Sequence, residues 1–224
     1  MNIIVKPYGS DLCHCRPDTT WERENRDFYS PECVNEVLWA PVIFARISKA
    51  GKCIGAKFAA RYYDAVGCGM LMYCALKLQE TSGDPRLNCS LQRSTGPFAD
   101  SLTTPSRGWH VTSCHPAISV NADHTSILPM PLYNPVVLED EKELLVDIAG
   151  TGSCTPVRTI IPGGAGAMLE EAICKASLLT SLRIGDYVAV ELAPVSVLAD
   201  KSAGEVAVHG TFCENEIFGF KIIF

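Results

Sequence analysis

The stretch that decides the fold covers residues 16–79 and combines short β patterns with a tyrosine-rich motif. It reads Arg-Pro-Asp-Thr at 16–19, Phe-Tyr-Ser-Pro at 28–31, Lys-Phe-Ala-Ala-Arg-Tyr-Tyr-Asp at 57–64 and Gly-Cys-Gly at 67–69. Residues 42–47, Val-Ile-Phe-Ala-Arg-Ile, are rich in β-branched and aromatic side chains, which predicts a strand. Residues 57–65 have the spacing of a short amphipathic helix. The stretch therefore predicts a strand at 42–47 followed by a short helix at 57–65.

Outside this stretch the pattern is again mainly β. Residues 143–148, 187–192, 205–209 and 218–223 are predicted strands, and residues 168–179 are a predicted helix with one apolar stripe at 3.6-residue spacing. Residues 101–135 hold five of the fourteen prolines and three of the five histidines, which predicts a long surface excursion. We expect an N-terminal segment at 1–15 and a single mainly β (α+β) domain at 16–224, with a divergent insertion at about 101–135.

Length and charge exclude several classes of protein. The chain has 224 residues, 47% of them hydrophobic, which is ample for a core, and a formal net charge of −6. A mild negative charge argues against a nucleic-acid partner bound through its phosphates. No apolar run is long enough for a membrane helix, and the N-terminus has no signal-peptide pattern. The sequence predicts a protein of the cytoplasm.

The eleven cysteines fit reduced thiols in such a compartment. Cys68, Cys74 and Cys174 lie in apolar stretches, where a thiol acts as a small hydrophobic side chain. Cys13, His14 and Cys15 are adjacent, without the gaps that zinc ligands usually have. We therefore predict no zinc site.

The motifs of residues 16–79 resemble the start of the catalytic domain of the fumarylacetoacetate hydrolase family. The first block aligns without gaps, and residues 179–186, Leu-Thr-Ser-Leu-Arg-Ile-Gly-Asp, resemble a later family motif that ends at Asp186. The resemblance covers about residues 16–100 and 136–224. It implies a mixed β-sandwich roll with flanking helices, usually assembled as a homodimer.

The resemblance also implies a site for Mg²⁺ or Mn²⁺, held by a Glu-x-Glu pair on one strand and an Asp on the next. Such an ion polarises a β-dicarbonyl substrate, and hard cations prefer oxygen ligands. In this chain Ala40 and Val42 stand at the pair, and Leu71, or Met72 in a shifted register, stands at the Asp. Leu38 replaces a frequent histidine. We therefore expect the four metal positions, Ala40, Val42, Leu71 and Met72, to be degenerate. We also expect no metal cofactor to be bound.

Two further family features are also missing in this alignment. The family's Lys-x-Phe-Asp stretch falls on residues 92–95, which contain neither lysine nor aspartate. Its Thr-Gly-Thr-Pro strand end falls on residues 190–193, Val-Glu-Leu-Ala. Turns, caps and packing explain the residues that still match the family. A shared fold does not imply a shared function when the site residues differ.

Few residues are candidates for a rebuilt site. Glu191 lies near the family's active-site edge and is a candidate ligand or general base, although its alternation with apolar neighbours also fits an outward side chain. His110, His115 and His124 lie in the divergent segment, where a histidine could act as general base. Glu36 is interpreted as structural.

Three classes of function remain open. The first is a fumarylacetoacetate-hydrolase-like protein without metal chemistry, which is non-catalytic or binds a small molecule. The alternative is an active hydrolase, decarboxylase or isomerase on 2-oxo or β-dicarbonyl acids, with a site rebuilt from Glu191 and the histidines. That alternative predicts that these side chains converge on one cavity. The third is a scaffold whose divergent segment binds a protein partner.

Overall fold

The computed structural model describes residues 1–76, 117–150 and 153–224, which form fourteen strands and one α-helix, α1 (Gly166–Leu179). The strands in chain order are β1 (Asn2–Lys6), β2 (His14–Pro17), β3 (Trp21–Glu22), β4 (Phe28–Tyr29), β5 (Val34–Ile47), β6 (Tyr63–Leu76), β7 (Ala117–Ser119), β8 (Ser126–Ile127), β9 (Lys142–Gly150), β10 (Ser153–Ile161), β11 (Tyr187–Glu191), β12 (Ser196–Asp200), β13 (Glu205–Phe212) and β14 (Asn215–Ile223). The mainly β architecture predicted from the sequence is confirmed.

The described strands form two sheets. The larger has nine strands in the order β2-β1-β11-β5-β6-β8-β3, with β12 also paired to β5 and β7 to β6. The smaller has five, in the order β10-β9-β13-β14-β4. β5 and β6 are the longest strands, with 14 residues each, and pair antiparallel at the centre of the larger sheet. This central pair positions the residues of the candidate site.

The larger sheet is covered on both faces. One face packs against the smaller sheet and α1 through side chains such as Trp39, Met70, Val146 and Ile173. The other face forms a second apolar cluster, which includes Phe44 and residues from the loops around it. Burial on both faces explains why residues 66–76 form a nearly continuous apolar run instead of an alternating one.

Helix α1 confirms the predicted helix, and its buried side chains lie on one stripe that includes Leu169, Ala172 and Ile173. The predicted stripe is wrong at its end, because Leu179 is 85% exposed. The predicted helix at 57–65 is also wrong: residues Ala56–Arg61 form a 3₁₀ helix, and β6 begins at Tyr63. Its one buried residue is Ala59, so this segment has no apolar stripe to hold an α-helix against the core.

Two predicted boundaries do not match the strand pairing. Residues 117–135 were expected to lie in a surface excursion, but β7 and β8 pair with β6, and Ile127 and Leu128 are buried. The rest of the segment, residues 101–116, lies outside the described part of the chain. The boundary at 15/16 falls inside β2, and β1 lies between β2 and β11 in the sheet. The first residues therefore belong to the same sheet as the rest.

The cysteine prediction holds for two of its three named residues. Cys68 and Cys74 are buried in the core between the sheets, whereas Cys174 is half-buried. Burial raises the pKa of the Cys74 thiol to about 11, which keeps it protonated at neutral pH. Among the described helices, none combines the length and the apolar character that crossing a bilayer requires.

Candidate functional site

Three of the four candidate metal positions, Ala40, Val42 and Leu71, share one face of the larger sheet. In the β5–β6 ladder Ala40 is opposite Leu71 and Val42 is opposite Gly69, while Glu191 of β11 is opposite Val42 on its other side. Ala40, Val42 and Leu71 belong to the same apolar cluster. Met72 belongs to the core on the opposite face, since successive side chains of a strand point to opposite sides. Leu71 is therefore the residue of β6 that faces the candidate site.

This face is filled by apolar side chains. Ala40, Val42 and Leu71 are each 0% exposed. The buried members of the cluster are Ile3, Val5, Ala40, Val42, Phe44, Leu71, Tyr73, Leu128, Tyr187 and Ala189. Leu38, at the frequent histidine position, is half-buried against them. Carbon side chains offer no oxygen ligand, so these positions do not fit Mg²⁺ or Mn²⁺.

Glu191 lies at the edge of the cluster and is buried, with 2% of its surface exposed. The hydroxyl of Tyr73 donates a hydrogen bond to its Oε1, and the backbone N–H of Tyr8 donates to its Oε2 over 2.9 Å. Burial raises the pKa of this carboxyl, and the bonds from Tyr73 and Tyr8 offset part of that effect. The outward orientation considered for Glu191 is therefore wrong.

Arg16 is the second charged group of this region and is 0% exposed. Its guanidinium donates to the backbone oxygen of Met72 over 3.0 Å and to Ser126 Oγ over 3.2 Å. It also lies over the Tyr73 ring, 4.4 Å from the ring centroid. Its Nε is buried and has no hydrogen-bond partner among the residues that the structure describes. Burial lowers the pKa of Arg16, while Tyr73 and Glu191 counteract that shift.

Tyr73 joins these two charges. It stacks on Arg16 and donates to Glu191 from a position on β6, across β5 from β11. Burial raises the pKa of its hydroxyl well above the ordinary value, so it acts as a proton donor in this contact. Sequence reasoning missed both Tyr73 and Arg16. The signal for Tyr73 was a hydroxyl within the buried apolar run of β6, whereas the other residues of β2 are exposed or half-buried and gave no such signal for Arg16.

The histidines do not join Glu191 in the described part of the chain. His110 and His115 lie outside it, as do residues 92–95. His124 pairs instead with Glu22, with 2.9 Å between Nδ1 and Oε2. The expected convergence of Glu191 with His124 is therefore wrong. Glu36 is half-buried and shares its face of β5 with Leu38 and Ala40 by strand alternation.

Across residues 1–76, 117–150 and 153–224, no cluster of three or more histidine, cysteine, aspartate or glutamate side chains could hold a metal ion. The adjacent Cys13, His14 and Cys15 are thus not part of such a cluster. What the site offers is a buried carboxyl, a buried guanidinium and a tyrosine hydroxyl beside an apolar surface.

Comparison with known proteins identifies the fold. No family model matches the sequence, and no curated protein does. Among solved structures, fumarylpyruvate hydrolase from Pseudomonas aeruginosa in complex with Mn²⁺ and pyruvate is similar with a TM-score of 0.61 and 12% identity, covering 100% of this chain and 90% of that one. Maleylpyruvate hydrolase from Sphingobium sp. SYK-6 has a TM-score of 0.61 at 12% identity, covering 99% and 70%.

A third similar structure is an isomerase. The 5-carboxymethyl-2-hydroxymuconate delta-isomerase from Mycobacterium smegmatis has a TM-score of 0.59 at 13% identity, covering 99% of this chain and 76% of that one. Identities this low show the fold and leave the activity open. The similarity extends over nearly the whole chain, including the first fifteen residues, and confirms the resemblance that residues 16–79 indicated. The chain therefore has the mixed β-roll fold of the fumarylacetoacetate hydrolase family.

Proposed function

We propose that this chain is a divergent fumarylacetoacetate-hydrolase-like protein that does not carry divalent-metal chemistry on the face of Ala40, Val42 and Leu71. In this proposal it is non-catalytic or binds a small molecule. The observation that supports it most is the burial of these three side chains in one apolar cluster. A hard cation at this place would lose its water shell without gaining oxygen ligands.

The electrostatics around Glu191 support the same proposal. A metal ligand must be ionised, but burial raises the pKa of this carboxyl and so favours its protonated form. Both of its oxygens already accept hydrogen bonds, one from Tyr73 and one from the Tyr8 backbone. Arg16 supplies a fixed positive charge nearby, which counteracts the cost of the buried negative charge. Glu191 is thus satisfied by protein groups.

Titration with Mn²⁺, followed by electron paramagnetic resonance of the free ion, tests this proposal. We would compare the full wild-type chain with Glu191→Gln and with Glu36→Gln, since Glu36 is a second carboxylate on this face. We expect three superimposable curves. A stoichiometric Mn²⁺ site that is lost in either variant would overturn the proposal. A site retained in both lies elsewhere in the chain and leaves this face free of metal, as proposed.

The second candidate function is an active enzyme on 2-oxo or β-dicarbonyl acids with a rebuilt site. The buried group of Arg16, Tyr73 and Glu191 favours it, because ionisable groups with shifted pKa values are common at active sites. The sequence offers His110 and His115 as further candidate bases. Turnover of a β-dicarbonyl acid in EDTA by the wild type, lost in Glu191→Gln, would support this candidate. Equal rates in the two proteins would contradict it.

The homodimer and the cytoplasmic location expected from the sequence are part of the proposal. The resemblance to the family supports the homodimer.

A further inference from the structure

Two exposed segments lie side by side where β5 ends and α1 ends. Residues 48–61 connect β5 to β6, and residues 177–185 contain the last residues of α1 and the turn that follows it. Gly51 and Leu182 exchange two backbone hydrogen bonds, of 3.1 and 2.8 Å, and so join the two segments. We call the continuous surface that they form the lysine-rich surface.

The lysine-rich surface is basic, although the chain as a whole is acidic. Its two segments contain no aspartate or glutamate and five basic residues, Lys49, Lys52, Lys57, Arg61 and Arg183. All five are exposed. Because these five positive charges are part of a formal net charge of −6, the rest of the chain carries −11. Such a concentration of positive charge attracts a negatively charged partner.

The acidic groups that border this surface are paired within the protein. Asp64, just after the first segment, forms an ion pair of 3.0 Å with Arg46. Asp186, just after the second, is buried and accepts the Asn2 backbone N–H over 2.8 Å. Asp11 pairs with a lysine of α1. These carboxylates therefore cancel little of the positive charge of the lysine-rich surface.

Apolar side chains also project from the lysine-rich surface. Four of them are between 41% and 85% exposed, namely Phe58, Leu178, Leu179 and Ile184. Lys57 Nζ lies 4.9 Å from the centroid of the Phe58 ring, and the Arg61 guanidinium lies 5.5 Å from it. Single exposed apolar side chains are ordinary, but a group of them among cations indicates an interaction surface.

We propose that the lysine-rich surface binds the face of a membrane that contains anionic lipids. The basic side chains bind the phosphate and carboxylate groups of the lipid headgroups. The four apolar side chains enter the boundary between the headgroups and the acyl chains, as those of interfacial membrane proteins do. This contact is made at the surface of the bilayer and needs no spanning helix.

The combination of charge and apolar area disfavours two other occupants of this surface. In a two-fold dimer the same patch meets itself, so five positive charges of one copy would oppose five of the other. Nucleic acid would neutralise the charges, but its phosphates offer nothing to four apolar side chains. A lipid surface accepts both kinds of side chain, because anionic headgroups lie directly above acyl chains.

Sedimentation of the full chain with lipid vesicles tests the proposal. We expect the wild type to bind vesicles of phosphatidylcholine and phosphatidylserine, to stay in solution with phosphatidylcholine alone, and to be released by salt. Lys52→Gln should weaken the binding about fivefold. Leu179→Ser should weaken it about tenfold. Both side chains are exposed, so the variants are expected to fold, and thermal unfolding checks that they do.

Two exposed residues elsewhere in the fold provide matched controls. Lys201 follows β12, and its Nζ donates to the Glu32 backbone oxygen over 3.1 Å. Ile160 lies on β10 of the smaller sheet and is exposed. Lys201→Gln and Ile160→Ser remove the same charge and a similar apolar side chain, so both should bind the anionic vesicles as the wild type does.

Cysteine alkylation locates the bound surface within a single sample. Cys53 is exposed in the lysine-rich surface, where its N–H donates to the Ser177 oxygen over 2.8 Å. Cys33 is exposed just before β5, at the opposite end of that strand. Anionic vesicles should protect Cys53 from a water-soluble alkylating reagent and leave Cys33 reactive, as measured by mass spectrometry of the peptides.

Several results would overturn the proposal. These are no binding to anionic vesicles, equal binding to both kinds of vesicle, or binding that Lys52→Gln and Leu179→Ser leave unchanged. A dimer that becomes a single chain in Leu179→Ser would assign the apolar side chains to a second copy. Binding of duplex DNA or polyglutamate as tight as that of vesicles, and unaffected by Leu179→Ser, would assign the charges to a soluble polyanion.

Discussion

At the level of single side chains, the most consequential residue is Glu191, because it carries a carboxyl into an apolar surface. Its neighbours Val190 and Leu192 suggested an outward side chain, but pairing opposite Val42 turns it toward the cluster. There Tyr73 and the Tyr8 backbone satisfy both oxygens. Folding changes the proton affinity of a buried carboxyl such as Glu191. Its contribution to the unfolding free energy therefore depends on pH.

Glu191 should make the protein less stable as pH rises. Its pKa in the fold is raised above the ordinary 4.5, so the unfolded chain releases this proton first. The stabilisation is fully present below pH 4.5 and is lost as pH rises through the folded pKa. We expect the unfolding free energy of the wild type to fall over this range relative to Glu191→Gln, in urea titrations at several pH values. Parallel pH profiles of the two proteins would contradict this.

His14 should act in the opposite direction. Burial lowers its pKa from 6.5 to about 4, and within the described part of the chain its buried Nε2 has no hydrogen-bond partner. Because the unfolded chain binds this proton first, stability is full above pH 6.5 and decreases as pH falls toward 4. The loss should reach at most about 3 kcal/mol. The same titrations should show a flatter acid limb for His14→Gln, and an equal acid limb in both proteins would refute the assignment.

At the level of elements, the β5–β6 pair determines what the site face contains. The ladder places Ala40 beside Leu71 and Val42 beside Gly69, so the face is apolar along both strands. The glycines of the Gly-Cys-Gly motif have a packing role. A Cβ on Gly67 would lie 2.4 Å from the Phe44 ring, and one on Gly69 would lie 2.1 Å from the Ile127 backbone oxygen. The Phe44 ring and the Ile127 backbone thus approach β6 closely at these two glycines.

Gly69→Ala should destabilise the protein by about 3 kcal/mol, because the Ile127 backbone in β8 must move to admit the methyl group. Gly150→Ala is the matched control, since a Cβ there meets no atom within 4 Å and its change should stay within about 0.5 kcal/mol. Chemical denaturation of both variants measures the difference. A Gly69→Ala protein as stable as Gly150→Ala would show that β8 does not constrain this position.

At the level of the whole molecule, the two sheets and α1 enclose one continuous core, and the second cluster covers the remaining face of the larger sheet. The similarity to hydrolases and an isomerase of one fold covers 99–100% of the chain. The charged groups of the site, Arg16 and Glu191, are buried inside this fold and do not lie on its surface.

We expect the purified protein to be a homodimer, as the family resemblance implies. Light scattering coupled to size exclusion should give twice the mass of one chain, and this mass should not change with dilution over the micromolar range. A single-chain mass at all concentrations would contradict the expectation. The measurement is independent of any metal, so it separates assembly from the chemistry of the site.

The local pattern of the sequence was sufficient for much of the fold. The strands at residues 143–148 and 205–209 and the helix at 168–179 follow from side-chain periodicity, which each segment carries within itself. The motifs of residues 16–79 indicated the correct fold, because turns and close packing constrain them. The prediction at 57–65 was wrong because a short segment depends on what it packs against.

The partners of the site residues depended on tertiary structure. Arg16, Tyr73 and Glu191 are distant in sequence and meet because β2, β6 and β11 belong to one sheet whose register sets which side chains share a face. The pairing of Glu22 with His124 likewise follows from the parallel contact of β3 with β8. Long-range register is a property of the whole chain, and no local pattern of residues encodes it.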